Sequence, residues 1–171
     1  KIILIVDNPK RIKRKYPKNV LIVKGGKERS DSSLIGIKKI KRFQPSNILI
    51  HDAARPDFSI KLLKNLIKNL KKNIAVIPII HPKDSIKYKI RNELYNLNRN
   101  KTFLTQTPQA FRYKNLYDLA TLQNKIISDE ATLFIENNTK IKFIKGENEN
   151  NKITYLEDIK ITKNYFGIGF D

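Results

Sequence analysis

Short apolar runs alternate with segments of helical period along the first half of this chain, and that alternation limits the folds open to it. Ile2–Val6, Val20–Val23, Ile48–Ile50 and Ile74–Ile80 read as strands, short and rich in β-branched residues. Between them, Leu34, Ile37 and Ile40 recur at helical spacing from Asp31 to about Arg42. Ser59 can cap a second helix carrying Leu62, Leu63, Leu66, Ile67 and Leu70 on one face, with Lys71-Lys72 at its negative end. Ile74–Ile80 is apolar on both faces, as in the middle of a parallel sheet. This β-α-β-α-β order predicts an α/β fold, a Rossmann-like open and mostly parallel sheet with right-handed crossovers. Ligands of such sheets gather at the carboxyl ends of the strands.

From about Pro82 to Phe111 the pattern breaks. The stretch is polar and loosely alternating, with a second short apolar alternation at Phe103-Leu104, and is expected to protrude as an arm or hairpin. Beyond it, Lys114–Gln123 and Glu130–Glu136 read as helices, Lys140–Ile144 as a strand and Leu156–Tyr165 as a last helix.

The length of 171 residues suits one domain with a real core. Cysteine is absent, which excludes disulfides and thiolate metal sites. The longest clean apolar run, Ile74–Ile80, is too short to cross a bilayer, and the first residues lack a signal peptide's layout. A soluble, cytoplasmic protein that does not engage membranes is expected. The formal charge of +19 invites a nucleic-acid reading, but 27 of the 35 basic residues are Lys and they are scattered along the chain. Aromatic residues do not alternate with them as a stacking platform requires. With so much Ile and Asn alongside, AT-rich coding is the favoured source of the charge, and nucleic acid is not the expected partner.

Several runs at strand ends can carry chemistry. In Gly25-Gly26-Lys27-Glu28-Arg29-Ser30-Asp31-Ser32 a strand ends in two glycines before a helix, which can present backbone N–H groups to a ligand. An ordinary strand-to-helix turn capped by Asp or Ser explains the run equally well. His51-Asp52-Ala53-Ala54-Arg55-Pro56 says more. Asp52 can accept from a sugar hydroxyl or hold a cation's water, Arg55 can grip a phosphate as a fork, and the alanines let a ligand approach the backbone. Pro82–Lys87 adds an acid, a hydroxyl and bases, and Thr105–Phe111 is rich in hydrogen-bonding side chains. Ser128-Asp129-Glu130-Ala131 reads as a helix start with Ser128 as the cap, and Lys152 stands beside a short strand. Carboxylate, hydroxyl, Lys and Arg groups without a histidine–serine pair or a metal-ligand cluster suit phosphate chemistry better than acyl transfer or redox work.

In order and spacing, GGKERSDSS (25–33), ILIHDAARP (48–56), PKDSIK (82–87), TQTPQAF (105–111), SDEA (128–131) and NNKIT followed by LEDI (150–159) resemble the 2-C-methyl-D-erythritol 4-phosphate cytidylyltransferase family. The resemblance runs from about Lys1 to Tyr165. It implies a nucleotidyltransferase-type sheet over 1–165 with an arm at about 82–111. It also implies transfer of a cytidylyl group from CTP to methylerythritol phosphate with Mg2+, in isoprenoid biosynthesis. On matching residues, Gly26 and Ser32 would meet the cytosine, with Gly25 also at the CTP site, and Asp52 and Ala53 would lie by the ribose and metal-triphosphate region. Arg55, Ser85 and Ser128 would hold methylerythritol phosphate. Arg99, on the arm, would reach into the partner's site in a homodimer. Lys152 would stabilise the α-phosphate, making Lys152, Asp52 and Arg55 the catalytic set.

Three departures stand out. Ser85 and Ser128 replace the family's usual threonines, keeping the hydroxyl, and Ser33 replaces a valine. The family's opening strand and glycine-rich loop, whose Arg and Lys cradle the triphosphate, do not precede Lys1, so the chain is expected to be one whose beginning lies elsewhere and not to turn over by itself. The ending, Phe166-Gly167-Ile168-Gly169-Phe170-Asp171, resembles the opening of methylerythritol cyclodiphosphate synthase, fused behind the cytidylyltransferase in some bacteria. Asp171 would then be the first Zn2+ ligand of a second domain beginning at about 166. Rival readings are a cytidylyltransferase for another polyol phosphate, such as ribitol 5-phosphate, against which Ala54 and the tail argue, and a non-enzymatic basic nucleic-acid-binding domain.

Overall fold

The computed structural model describes residues 1–123 and 126–159. Strands β1 (Ile2–Val6) and β2 (Val20–Lys24) pair in parallel, Ile2 opposite Val20 and Val6 opposite Lys24. Helix α1 (Arg29–Ile40) follows the two glycines and buries Gly36, Ile37 and Ile40. A Cβ on Gly36 would stand 2.7 Å from Ile5 Cδ1, so α1 packs against β1 at a distance that only glycine permits. Strand β3 (Asn47–Ile50) leads to α2 (Ile60–Leu70), where Ser59 Oγ accepts the Leu62 N–H at 3.0 Å, the cap expected from the sequence. Leu62, Leu66 and Leu70 form its buried stripe, while Ile67 lies off that stripe and is exposed.

The main sheet corrects one expectation. Its order is β3, β8 (Gln109–Arg112), β4 (Ala75–Ile80), β7 (Leu104–Thr105), with β9 (Lys142–Lys145) also on β4. Both β3 and β4 run antiparallel to β8, so they share a direction, and β9 is parallel to β4. A simple β-α-β crossover would make β3 and β4 neighbours, but β8 lies between them. The sequence hid it because Gln106, Thr107 and Gln109 look like loop residues, whereas all three are buried and hydrogen-bonded. The protruding arm is correspondingly shorter than 82–111. It consists of the hairpin β5 (Lys87–Ile90) and β6 (Glu93–Asn96), every residue of which is exposed, and the turn Arg99–Lys101.

Helices α3 (Tyr113–Leu122) and α4 (Glu130–Glu136) cover one face of the sheet and α2 the other. Strand β4 alternates between them, Ala75 and Ile77 facing the Phe111–Phe134 stack and Val76 facing Leu62, Leu66 and Ala110. Between β1 and β3 there is no ladder. An apolar groove of about 520 Å3 separates them, edged by Ile2, Ile3 and Ile5 on one side and Ile48–Ile50 on the other, with Gly36 and Ile40 in its floor. No described residue fills it. Of the helix expected over Leu156–Tyr165 only the first turn lies among the described residues, and the expected second-domain start, 166–171, lies outside them.

Candidate active site

The carboxyl ends of β2 and β3 meet at a cleft of about 400 Å3 that gathers Gly25, Gly26, Ser32, Asp52 and Ala53, with Arg29 and His51 also in its wall. A Cβ on Gly26 would stand 2.3 Å from Asp31 Cβ and one on Gly25 2.7 Å from Ser32 Oγ, so the turn folds tightly onto the start of α1. Ser32 Oγ accepts the Gly26 N–H at 3.1 Å, which leaves the hydroxyl proton free to donate. The helix cap is Glu28, not the Asp or Ser expected. Its own N–H bonds to Asp31 Oδ2 at 3.2 Å.

Lys152 comes from the far end of the chain. Its Nζ lies 3.6 Å from Asp52 Oδ2, and the Ile153 N–H bonds to Ala54 O at 2.8 Å, stitching the two loops together. Arg55 lies behind this junction. Its Nη1 donates to Asn150 O at 2.8 Å, its Nε is buried without a partner among the described residues, and burial lowers its pKa against the opposing pull of Asp52. Asn150, fully buried, donates from Nδ2 to Thr107 O, and its own carbonyl also accepts from Gln106 Nε2. The loop that carries Lys152 is therefore pinned to the strand ends by amides.

His51 fixes the direction of another chain. Its Nε2 meets Arg55 O at 3.0 Å, and a carbonyl only accepts, so Nε2 carries the proton. Nδ1 must then accept from Thr107 Oγ1 at 3.2 Å, whose oxygen accepts the Asp52 N–H at 3.0 Å. Protein packed around the imidazole, with Phe58 edge-on at 4.5 Å, lowers its pKa, chiefly by desolvation.

Other expected residues lie elsewhere. Ser85 is exposed at the entry to the arm. Arg99 donates to Lys83 O at 3.3 Å and lines a different cavity, of about 900 Å3, with His81, Lys83, Phe103 and Lys145. Ser128 is exposed and its Oγ lies 3.2 Å from Thr132 Oγ1. It does not cap α4. Asp129 does, its Oδ1 accepting the Thr132 N–H at 3.1 Å, because Asp129 has the extended backbone of a cap. Asp171 lies outside the described residues.

Arg29 in the cleft wall and the buried Glu130 behind it had no site role in the sequence reading. Arg29 donates from Nη1 and Nη2 to both oxygens of Glu130 at 3.0 Å and from Nε to Asp52 Oδ1 at 3.3 Å. Burial opposes the charge of Arg29, but Glu130 and Asp52 outweigh it and raise its pKa. Arg29 stood inside the GGKERSDSS run without a contact to mark it, and Glu130 read as an ordinary first-turn acid.

Residues 1–167 match the family model described as IspD, 2-C-methyl-D-erythritol 4-phosphate cytidylyltransferase. The chain belongs to that family. A bifunctional enzyme IspD/IspF from Pelagibacter ubique is 47% identical over 174 residues, covering 100% of this chain and 47% of that protein. One from a Wolbachia of Brugia malayi is 32% identical and covers 82% of this chain and 35% of its own length. The chain thus spans less than half the length of these relatives. Among solved structures, the 4-diphosphocytidyl-2C-methyl-D-erythritol synthase of Anaerococcus prevotii superposes with a TM-score of 0.83 at 32% identity, over 97% of this chain and 78% of its own. The bifunctional IspDF of Campylobacter jejuni gives 0.80 at 31% identity, over 94% and 41%. The nucleotidyltransferase-type fold and the family read from the sequence both hold.

Proposed function

We propose that this chain forms the cytidylyltransferase part of a larger enzyme and transfers the cytidylyl group of CTP to 2-C-methyl-D-erythritol 4-phosphate, releasing diphosphate. The observation that carries this reading is the meeting of Asp52 and the Gly25-Gly26-Ser32 turn in one cleft, with Lys152 Nζ 3.6 Å from Asp52 Oδ2. The turn offers backbone N–H groups and a free hydroxyl proton to a pyrimidine edge. Asp52 faces the ribose and phosphate side, and Lys152 supplies a cation at the reacting phosphorus.

Two phosphate charges about 4 Å apart repel by about 4 kcal/mol at an effective dielectric near 20. Lys152 offsets that repulsion most where charge accumulates, in the transition state. No general base is required, because the attacking phosphate oxygen is already ionised at neutral pH. A single carboxylate beside a triphosphate fits the way Mg2+ is held, mostly by phosphate and water. Among the described residues no group of three His, Cys, Asp or Glu forms an all-protein metal site. Asp52 would hold the Mg2+ that arrives with CTP, and that ion would neutralise phosphate charge. Zn2+ and Asp171 belong to the proposed second domain.

Arg55, anchored on Asn150, acts chiefly by holding the Lys152 loop and secondarily by its field on the second substrate's phosphate. Ser85, Arg99 and Ser128 lie apart from the cleft within one chain, which suits a site completed across a homodimer. The exposed arm, with Tyr88, Ile90, Leu94 and Tyr95 facing solvent, supports that reading. The groove between β1 and β3 has strand-like walls and leads to the cleft. A further strand there, bearing a glycine-rich loop, would supply the triphosphate contacts that the described residues lack. Among the described residues no helix is long and apolar enough to cross a membrane.

Calorimetric titration tests this reading. CTP is expected to bind in preference to ATP and GTP, and Lys152→Ala is expected to weaken binding, with no cytidylyl transfer while the groove is empty. Equal binding of all three nucleotides contradicts the cytidine site, and measurable turnover contradicts the need for a further strand.

A further inference from the structure

Arg29 invites a simple reading as a phosphate ligand, since it stands in the cleft wall beside the glycine turn. Its hydrogen bonds point to another role. The two terminal nitrogens are taken by both oxygens of Glu130, a fork-on-fork pair at 3.0 Å, and Glu130 is 1% exposed. Among the described residues that buried carboxylate is met by Arg29 alone. Of the three N–H groups that this pair leaves, Nε donates to Asp52 Oδ1 at 3.3 Å, so the edge of the guanidinium next to the cleft is turned to a carboxylate. Asp52 is thereby held with Oδ2 turned outward, where Lys152 meets it at 3.6 Å.

Glu130, Arg29, Asp52 and Lys152 form a row of alternating charge from the first turn of α4 to the loop of Lys152, crossing the start of α1 and the end of β3. We propose that the Glu130–Arg29 pair is a strut that positions Asp52 for nucleotide binding, with Arg29 acting through Asp52 rather than on the phosphates. This rests on the reading of the cleft as the CTP site. The buried acid is what keeps the guanidinium's strong fork occupied. Without the Glu130 charge, that fork is free to close on Asp52, taking both oxygens and turning the carboxylate away from the ligand. The strut also ties the nucleotide side of the cleft, at α1, to the Ser128–Glu130 segment.

The test uses this chain with Mg·CTP as the probe, reading the dissociation constant by titration and the thermal midpoint as a control on folding. Glu130→Gln keeps the shape and removes the charge. It is expected to weaken CTP binding about ten- to a hundredfold, the usual effect of removing an outer support of a binding group. In an Asp52→Asn background the same change is expected to alter binding by less than about twofold, because the group it acts through is gone. The pair Arg29→Met with Glu130→Met leaves no buried charge unpaired and covers the case in which Glu130→Gln does not fold; it should show the same dependence on Asp52. An unchanged dissociation constant, or equal losses in both backgrounds, overturns the strut. Absence of CTP binding by the unsubstituted chain, or no loss with Asp52→Asn, overturns the reading of the cleft, and the strut's role falls with it.

Discussion

Asp52 makes contacts on three sides: its backbone N–H to Thr107, Oδ1 to Arg29 and Oδ2 to Lys152. A carboxylate so restrained has little freedom left to lose when a ligand arrives, which lowers the cost of binding. His51 is the titratable member of this cluster. Its folded pKa lies below the ordinary 6.5 because the imidazole is partly desolvated, with the hydrogen bond to the Arg55 carbonyl and the charge of Asp52 pulling the other way and the Arg55 guanidinium adding a smaller depression. Above pH 6.5 His51 is neutral in both folded and unfolded chains. As the pH falls, the unfolded chain takes up the proton first, so stability is lost from about pH 6.5 down through the folded pKa. Denaturant unfolding at pH 7.5 and at pH 5.5 should show that loss, and His51→Gln should flatten the part of the slope that His51 causes. The same slope in His51→Gln would assign it to other groups.

At the scale of elements, the start of α4 shows how a short helix is placed. Asp129 Oδ1 accepts from Thr132 N and Oγ1, while Oδ2 accepts from Thr105 Oγ1 at 2.8 Å and Gln109 Nε2 at 2.9 Å. One carboxylate thus caps α4, satisfies the buried Gln109 of β8 and reaches β7. Asp129→Ala is expected to cost about 2 kcal/mol or more, a cap's usual contribution plus the orphaned amide, read as a lower midpoint in urea. A loss under about 0.5 kcal/mol would mean that water replaces the carboxylate.

The periodic elements were legible in the sequence. Ile2–Val6 appears as expected, α2 is capped where Ser59 predicts, and Glu130–Glu136 is helical as read. The misses share one physical cause. Strand β8 and its approach bury Gln106, Thr107 and Gln109, and the site depends on Glu130 and Asn150, polar groups whose burial is satisfied by partners far away in sequence. Hydrophobic periodicity carries no signal for such residues. Only the motif resemblance marked their neighbourhood, and it did not distinguish Asp129 from Ser128 as the cap.

At the scale of the whole molecule, two surfaces have no partner among the described residues. The arm carries Tyr88 stacked on Tyr95 at 5.4 Å with Ile90 and Leu94 exposed, an apolar display on an otherwise charged protein. Removing residues 87–96 is expected to shift the chain from dimer to monomer in sedimentation equilibrium. A monomer before removal would count against the homodimer. The groove between β1 and β3 exposes two unpaired strand edges along apolar walls, a surface prone to pairing with other chains. The groove adjoins the cleft formed by Gly25, Gly26, Ser32, Asp52 and Ala53, and the proposed function stands on what that cleft binds. The most direct measurement is a titration of the isotope-labelled chain with Mg·CTP, followed by amide chemical shifts. The account predicts the largest changes at Gly25, Gly26, Ser32, Asp52 and Ala53, with Lys152 and Ile153 next. Changes centred instead on the cavity of His81, Arg99 and Lys145, or none at saturating CTP, would contradict it.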